Sequence, residues 1–292
     1  MATIDLLPFC KLLQLAIAIG ENRKNINKIV SSYHRKIEYI NFEKYKSKLV
    51  LNNYGWELPI SAYARLFVDE MLPQTVNKVS YLDCDIIVND SIETLWNTDL
   101  CGKTIGAVQD ICYNVFKDET GIKEDYRYFC SGVILIDLKL WRAANCNKKI
   151  ISYIDFRNGV VRHHDQTILN VFFGTDYFVL HPKYDVLTTM FIMSYDNMKA
   201  YFKCGNDFYS KSEVDEAVKR PAIIHFTSSN IGRPWENKSH PKSGIYRKYW
   251  KKSPWRNVPY IKFKPSYDYI QRRTYWLYRH IPIKIIKLLS KH

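Results

Sequence analysis

Hydrophobic and polar positions along the chain alternate between the spacing of helices and that of strands. Apolar residues recur three or four positions apart at 22–34 and at 60–71, which predicts two helices, the second ending at Leu72-Pro73. Strands are predicted at 36–42, 78–88, 128–138, 177–180 and 222–226, and a short helix at 165–173. This alternation is typical of an α/β protein with a mostly parallel sheet and helices on both faces.

The predicted strand at 78–88 contains two carboxylates within an apolar run. Asp83 and Asp85 lie between Tyr81-Leu82 and Ile86-Ile87-Val88. An ionised side chain out of water is costly unless it is paired or bound to a metal, and residues two apart leave a strand on the same face. Such a pair can hold one divalent cation, which can in turn bind a diphosphate. The alternative is that the strand ends here and the aspartates cap a turn.

Several polar residues are predicted to lie where ligands bind in such sheets. Ligands of open α/β sheets sit at the carboxyl ends of the strands, and Asp83, Asp85 and His225 all fall at such ends. A single histidine at a strand end is also compatible with a purely structural role. The segment from Thr227 to Lys242 is rich in Ser, Asn, Gly and Pro, which indicates a functional loop.

Composition divides the chain into two regions. With 292 residues, 47% of them hydrophobic and 25% charged, the chain is large enough to bury the core of one large or two small soluble domains. The net charge of +14 is concentrated in residues 242–292, which contain 14 Lys and Arg against one acid, Asp268. We therefore predict a folded domain at 1–241 and a basic segment at 242–292.

The basic segment interleaves its cations with tyrosine and tryptophan. Aromatic residues prefer the lipid–water interface and Lys and Arg seek anionic head groups, so the segment is predicted to bind an anionic membrane surface. A solvated helix packed on the domain is the simpler alternative. Nucleic-acid binding is not expected, because the sequence has no recognised nucleic-acid-binding motif besides its charge.

The N-terminal segment and the cysteines indicate in which cellular compartment the protein is expected. Residues 5–20 are apolar but contain Lys11 and Gln14, so they are too short and interrupted to span a membrane, and a buried strand or helix is predicted there. A signal peptide is the alternative. The seven cysteines include no C-x-x-C pair, and an odd number in a chain of this length favours a reducing cytoplasm.

Six segments together resemble glycosyltransferase family 8, the retaining enzymes that include bacterial lipopolysaccharide galactosyl- and glucosyltransferases. They are SAYARL (61–66), KVSYLDCDIIVNDSIETLWNTDL (78–100), YFCSGVILIDLKLWR (128–142), HDQTILN (164–170), HPKYDV (181–186) and IIHF with GRPW (223–235). The resemblance covers most of residues 22–255. It implies a GT-A (Rossmann-like) fold, a requirement for Mn²⁺, and transfer of galactose or glucose from a UDP-sugar to a lipopolysaccharide or lipooligosaccharide glycan. Together with the basic segment, the resemblance implies a cytoplasmic protein that is peripherally bound to the inner face of the cell membrane.

The resemblance assigns a metal and diphosphate site. Asp83 and Asp85 match the metal-binding D-x-D pair of the family, and His225 matches its third protein ligand. Two carboxylates and one imidazole suit Mn²⁺. Arg233 stands where the family usually has lysine, and with Gly232 it is expected to contact the donor diphosphate. Arg and Lys are not equivalent there, because only Arg binds bidentately.

The resemblance also assigns residues to the sugar of the donor. Asp165 and Gln166 match the catalytic Asp-Gln pair of the family, although Asp165 alone is compatible with a helix N-cap. The remaining positions that match donor-binding residues are Arg65, Asp110, Ser131 and Gly132. Cys130 replaces a commonly found asparagine and is a poorer hydrogen-bond partner for a sugar hydroxyl, so donor preference or rate is expected to differ.

The N-terminal nucleotide-binding segment is expected to be incomplete. Relatives begin with a strand, an acidic loop that holds the uridine, a helix and a second strand. Here the helix at 22–34 already resembles a later element, and Asp5 is the sole acid before Glu21. Residues 12–19 are expected to supply one strand. A catalytically impaired relative that binds a membrane or a partner protein is therefore the alternative function.

Overall fold

The structure is a computed structural model, and it describes most of the chain. The described residues are 12–16, 22–35, 37–52, 60–111, 116–117, 121–122, 127–227, 231–258, 273, 276–277 and 280–285. They form two compact units. The first unit contains Asp83–Ile92 and the described residues from 181 onward, and the second contains the described residues of 12–82 together with Glu93–Leu180.

The described elements alternate as predicted. The strands are β1 (Leu12–Ala16), β2 (Ile37–Asn41), β3 (Lys78–Leu82), β4 (Ile86–Val88), β5 (Ile105–Gln109), β6 (Phe129–Asp137), β7 (Phe178–Val179), β8 (Val186–Leu187) and β9 (Ile223–His225). The α-helices are α1 (Asn22–Ser32), α2 (Glu43–Lys46), α3 (Val68–Met71), α4 (Glu93–Trp96), α5 (Leu138–Ala143), α6 (Cys146–Phe156), α7 (His164–Phe173), α8 (Thr188–Ile192), α9 (Tyr195–Tyr201), α10 (Lys211–Lys219) and α11 (Ser243–Lys252). Two 3₁₀ helices span Ile60–Phe67 and Pro182–Tyr184.

The second unit is organised around β6. Its four-stranded sheet has the order β3-β6-β5-β7, and a separate two-stranded sheet pairs β1 with β2 in parallel. Eight of the nine residues of β6 are buried, as expected of a central strand covered on both faces. Trp141 of α5 stacks on Phe173 of α7 at 5.3 Å between ring centroids. Both side chains belong to one hydrophobic core, so the two helices pack against the same cluster of buried residues.

The first unit contains a smaller sheet with the order β4-β9-β8. β4 runs antiparallel to β9 with Ile86 opposite His225, and β8 runs parallel to β9 with Leu187 opposite His225. His225 therefore lies at the end of the central strand, between two neighbours whose backbones fix its position.

Two predictions about the strands are corrected by the structure. The strand predicted at 78–88 is two strands, β3 and β4, which belong to different sheets and are separated by a turn at 83–85. The sheets are mixed and not mostly parallel in the described residues, because β6 runs antiparallel to both β3 and β5. Alternation of strands and helices indicates the α/β class, but it does not determine which strands become neighbours.

The helix predicted at 60–71 is also different in detail. Most of it is a 3₁₀ helix, Ile60–Phe67, and only Val68–Met71 is α-helical. Tyr63, Ala64 and Phe67 of this helix are buried, so the apolar spacing was diagnostic of burial. It did not distinguish the two helix types, whose periods are 3.0 and 3.6 residues. No helix in the described part of the chain is long and apolar enough to cross a bilayer.

Candidate functional site

The two aspartates of the D-x-D pair lie in the turn that leads into β4. The backbone N–H of Phe226 donates to the carbonyl of Asp85 at 2.9 Å and so extends the pairing of β4 with β9 by one residue. Both carboxylates keep about a quarter of their side-chain surface exposed, 23% each. The turn thus holds both acids beside the end of β9 and leaves them accessible to a ligand.

His225 completes a cluster with these acids. Its Nε2 lies 3.2 Å from Oδ1 of Asp85 and 3.9 Å from Oδ2 of Asp83. One ligand atom from each of the three residues lies within 4.8 Å of the other two. The structure thus brings His225 next to Asp83 and Asp85, from which it is distant in the chain.

The donor set and its spacing fit a divalent cation. Neighbouring ligands of an octahedral cation with bonds of about 2.1 Å are separated by roughly 3 Å, close to the spacing between His225 and Asp85. Two hard carboxylates and one imidazole are a combination that accepts Mn²⁺ and related ions. Asp83, Asp85 and His225 are therefore the residues that would hold a metal.

Arg233 is directed into this cluster. Its Nη2 donates to Oδ2 of Asp85 at 3.1 Å, and its Nε donates to the carbonyl of Phe226 at 3.0 Å. The preceding Gly232 has a φ of +71°, a left-handed conformation that glycine adopts without strain. About a third of the Arg233 side chain is exposed, so the guanidinium has donors available for an anion next to the acids.

The electrostatic environment keeps Asp85 ionised. Burial is the largest influence and by itself would raise the pKa of Asp85. The neighbouring ring of His225 and the guanidinium of Arg233 together outweigh burial and lower this pKa below its usual value. An ionised carboxylate is the form that coordinates a cation, so the site is charged for metal binding at neutral pH.

The residues predicted to bind the sugar come together in the second unit. Nε of Arg65 lies 2.9 Å from Oδ2 of Asp165, and both side chains are almost fully buried. Nη1 of Arg65 donates to the carbonyl of Ser131, and its guanidinium lies 4.1 Å from the centre of the Tyr81 ring. Asp165 is thereby paired as an ion and is not a helix N-cap, since it lies within α7.

Gln166 connects the other members of this cluster. Its Oε1 accepts from the backbone N–H of Ser131 at 3.1 Å, and its Nε2 donates to Oδ2 of Asp110 at 3.2 Å. Gly132 follows Ser131 within the buried strand β6. The amide of Gln166 is thus held in one orientation, which fixes where its carbonyl oxygen points.

Helix α7 is held in place by two features that were not predicted from the sequence. Asn170 is fully buried, accepts from the N–H of Phe129 at 2.7 Å and donates to the carbonyl of Phe129 at 2.9 Å, which fixes α7 to β6. His163 and His164 both have positive φ, +56° and +54°. Such conformations cost about 1–3 kcal/mol each in residues other than glycine and are concentrated at functional sites.

Asp185 is the acidic residue that sequence reasoning missed in the first unit. Its Oδ1 lies 2.9 Å from Nδ1 of His225, on the opposite side of the ring from Asp85, and its side chain is completely buried. The segment 181–186 was noted for its resemblance to the family, but Asp185 has no local pattern that marks it.

We expect His240 to make the stability of the protein dependent on pH. This ring is buried, and burial, assisted by the charge of Lys242, lowers its pKa from 6.5 to about 4. Its Nδ1 accepts from the N–H of Lys242 at 3.1 Å, so the neutral ring carries its proton on Nε2, which lies 3.4 Å from Oγ1 of Thr188. A second proton would remove the acceptor that Lys242 uses.

Because the folded pKa of His240 is lower than the unfolded one, the unfolded chain takes up the proton first. The stability that this neutral ring contributes is present above pH 6.5 and is lost as the pH falls towards 4, by about 3 kcal/mol. The free energy of unfolding in urea is measured above pH 6.5 and near pH 4 for the wild type and for His240→Gln. The variant should lose about 3 kcal/mol less between the two pH values, and parallel pH profiles would contradict this assignment.

Solved structures with the same fold are glycosyltransferases. The galactosyltransferase LgtC, crystallised with donor and acceptor sugar analogues, has a TM-score of 0.65 and 23% identity, covering 84% of this chain and 87% of that one. The bifunctional glycosyltransferase WbbM in its apo form has a TM-score of 0.62 and 17% identity, covering 80% and 42%. The predicted α/β GT-A fold is confirmed.

The family follows from the sequence. The profile of Glycosyl transferase family 8 matches residues 12–239. The chain therefore belongs to glycosyl transferase family 8, which confirms the predicted resemblance and makes it a glycosyltransferase by family.

Several relatives of this chain are bacterial proteins at moderate identity. General stress protein A of Bacillus subtilis is 26% identical over 202 residues, covering 68% of this chain and 67% of the relative. Lipopolysaccharide 1,2-glucosyltransferase of Escherichia coli is 27% identical over 228 residues, covering 76% and 63%. A putative glycosyltransferase of Haemophilus influenzae is 30% identical over 159 residues, covering 51% and 46%. The chain thus spans about half to two thirds of the length of these relatives.

Proposed function

We propose that the protein is a metal-dependent retaining glycosyltransferase that moves a hexose, galactose or glucose, from a UDP-sugar to a lipopolysaccharide-type glycan. The observation that carries the proposal is the cluster of Asp83, Asp85 and His225, with the guanidinium of Arg233 bound to one of the acids. This set of charges fits a cation and a diphosphate. The glycan acceptor is suggested by relatives that are named as lipopolysaccharide glucosyltransferases.

In this proposal the cluster of Asp83, Asp85 and His225, with Arg233, neutralises the leaving group. A bound Mn²⁺ would supply Lewis-acid stabilisation of the negative charge that develops on the departing UDP. Arg233 has five donors and uses only some of them on Asp85 and Phe226. Its guanidinium is therefore suited to bind diphosphate oxygens and to stabilise their charge as the bond to the sugar breaks.

A second cluster of side chains, which contains Asp110, Asp165 and Gln166, would bind and orient the sugar. The Oε1 atom of Gln166 is held by the N–H of Ser131, and its partial negative charge suits the oxocarbenium character that develops at the anomeric carbon. Asp110 and Asp165 are carboxylates that can accept hydrogen bonds from sugar hydroxyls. Arg65 fixes Asp165 in place through its ion pair, and Gly132 lets the backbone of β6 approach a ligand closely.

A donor survey tests this proposal. Purified protein is incubated with UDP-galactose or UDP-glucose and a lipooligosaccharide acceptor, with Mn²⁺ or with a chelator, and the anomeric configuration of the product is read by NMR. Metal-dependent release of UDP with an α-linked product from an α-linked donor supports it. Absence of UDP release with every donor and acceptor would favour the alternative, an impaired relative that only binds partners.

We also propose that the basic C-terminal segment binds an anionic membrane surface, so that the enzyme acts as a peripheral protein on the inner face of the cell membrane. Helix α11 exposes Arg247, Lys248, Lys251 and Lys252. Residues three and four apart lie on the same side of a helix, so these four cations share one face. Each is worth about 1 kcal/mol near an anionic surface.

Reversing two of these charges should weaken membrane binding. The double variant Arg247→Glu, Lys251→Glu is expected to lose at least 30-fold in affinity for phosphatidylglycerol vesicles, corresponding to about 2 kcal/mol. The matched control reverses Lys148 and Lys149, two exposed cations of α6, and should bind as the wild type does. Co-sedimentation with vesicles at low and high salt measures both. Equal binding by all three proteins would contradict the assignment, and binding to DNA but not to vesicles would favour a nucleic-acid partner.

A further inference from the structure

Asp185 is buried beside His225 but is not one of the three proposed metal ligands. It follows the short 3₁₀ helix Pro182–Tyr184 and directly precedes β8. Its relative exposure is 0%, and its Oδ1 lies 2.9 Å from Nδ1 of His225. Its second oxygen, Oδ2, is also buried and has no hydrogen-bond partner in the part of the chain that the structure describes. Within the described residues, the side chain of Asp185 therefore has one hydrogen-bond partner, the ring of His225.

This arrangement is poor for stability. A buried carboxylate is costly unless its oxygens are satisfied by hydrogen bonds or charges, and a buried polar atom without a partner costs about 1–3 kcal/mol. Asparagine would offer Nδ1 of His225 the same acceptor oxygen without a buried negative charge. The presence of an acid at this position is explained more readily by what it does to the ring than by what it contributes to folding.

The neutral ring of His225 has a lone pair on only one of its two nitrogens, and only that nitrogen can bind a cation. The position of the proton determines which nitrogen this is. When Nδ1 carries the proton and donates it, Nε2 has a free lone pair. Nε2 is the atom that lies 3.2 Å from Asp85 and 3.9 Å from Asp83. A carboxylate that accepts from Nδ1 thus selects the tautomer in which the lone pair points at the acid pair, and it makes that lone pair more basic.

The backbone around the ring supports the same orientation. β8 and β9 are paired in parallel with Leu187 opposite His225, so Asp185 lies directly before a strand that is fixed to β9. The main chain of His225 is therefore held by its two strand neighbours, and the ring is held by Asp185.

We propose that Asp185 is a positioning residue for the metal site: it accepts the Nδ1 proton of His225, locks the ring with Nε2 towards Asp83 and Asp85, and strengthens Nε2 as a ligand. This inference rests on the proposed metal-dependent function and deepens it. It assigns to Asp185 no contact with the sugar, the nucleotide or the cation itself.

Two substitutions separate the hydrogen bond from the charge. Asp185→Asn keeps an oxygen that can accept from Nδ1, whereas Asp185→Leu has the same branching of heavy atoms, is larger, and has no acceptor. Loss of such a partner weakens metal binding by about 10–100-fold. We expect the Mn²⁺ affinity of Asp185→Leu to be about 10–100-fold lower than that of the wild type. The affinity of Asp185→Asn should lie between those of Asp185→Leu and the wild type. Binding is measured by the Mn²⁺ electron paramagnetic resonance signal that disappears when the ion binds.

Thermal unfolding without metal shows whether the effect is only structural. Asp185→Asn should unfold at the same temperature as the wild type or higher, because it removes the buried charge, and yet bind Mn²⁺ more weakly. Thr188→Val is the matched control, since Thr188 is equally buried and contacts the backbone of His225 but not its ring. It should keep the Mn²⁺ affinity of the wild type even if it unfolds at a lower temperature. Equal Mn²⁺ affinity in all four proteins would overturn the proposal.

A second readout does not depend on metal. Nitrogen-15 NMR of the neutral histidine rings at alkaline pH reports which nitrogen carries the proton. His225 should carry it on Nδ1 in the wild type and in Asp185→Asn, and should populate the Nε2 form in Asp185→Leu. A wild type that binds no Mn²⁺ would remove the proposed function, while the tautomer would still decide the role of Asp185. An unchanged tautomer in Asp185→Leu would refute that role.

Discussion

Replacing Asp85 by alanine is expected to abolish metal-dependent binding of UDP and to lower the rate of sugar transfer about 1,000-fold, which corresponds to roughly 4 kcal/mol. Asp85 uses one carboxylate oxygen towards Nε2 of His225, at 3.2 Å, and the other towards Nη2 of Arg233, at 3.1 Å. Its loss removes a ligand and also releases the guanidinium. Titration calorimetry with UDP, with and without Mn²⁺, and a transfer assay measure the two effects.

The control for this substitution is Asp90→Ala. Asp90 lies just after β4, is exposed and accepts a hydrogen bond only from the neighbouring N–H of Ser91 in the contacts described. It should bind UDP and transfer sugar as the wild type does. Asp85→Asn keeps the shape of the side chain and serves as a second variant if the alanine variant folds poorly. Normal metal-dependent binding by both Asp85 variants would exclude Asp85 as a ligand.

Replacing Gln166 by alanine is expected to lower transfer about 100- to 1,000-fold while leaving metal-dependent UDP binding intact. Removing one preoriented polar group that stabilises developing charge typically costs this much in rate. Gln166 belongs to the cluster with Ser131 and Asp110, and none of its described contacts involves the metal-binding residues. The two substitutions therefore predict opposite results in the binding assay and the same result in the transfer assay.

Gln74→Ala is the matched control for Gln166, because Gln74 is an exposed glutamine in the same unit. It should have normal binding and normal transfer. The free energy of unfolding of Gln166→Ala must also be measured, since its amide contacts two neighbouring residues. If a folded Gln166→Ala protein transfers sugar at the rate of the wild type, the proposed role of this residue at the anomeric carbon is wrong.

The parts of the fold that local pattern determines were predictable. The buried run of β6 and the helix at 164–173 lie where the sequence placed them, because burial on both faces and helical spacing leave a direct pattern. The strand at 78–88 was predicted as one element, and the turn at 83–85 divides it. A hydrophobic run cannot show that its two halves join different sheets, so the alternative of a turn at the aspartates was correct in geometry.

The candidate site was predictable where motifs carry it. The resemblance brought Asp83, Asp85 and His225 together, and the structure confirms their proximity. Asp185 and Asn170 were missed because each acts on a partner about 40 positions away, His225 and Phe129 respectively. Side-chain pairs at such separation leave no periodic signal in a single sequence, and only the register of the strands reveals them.

Diffraction from crystals grown with MnCl₂, recorded near the manganese absorption edge, would locate the proposed metal directly. We expect one strong anomalous peak at about 2.2 Å from a carboxylate oxygen of Asp83, a carboxylate oxygen of Asp85 and Nε2 of His225. A peak coordinated by other residues, or none at this cluster at saturating Mn²⁺ and UDP, would contradict it.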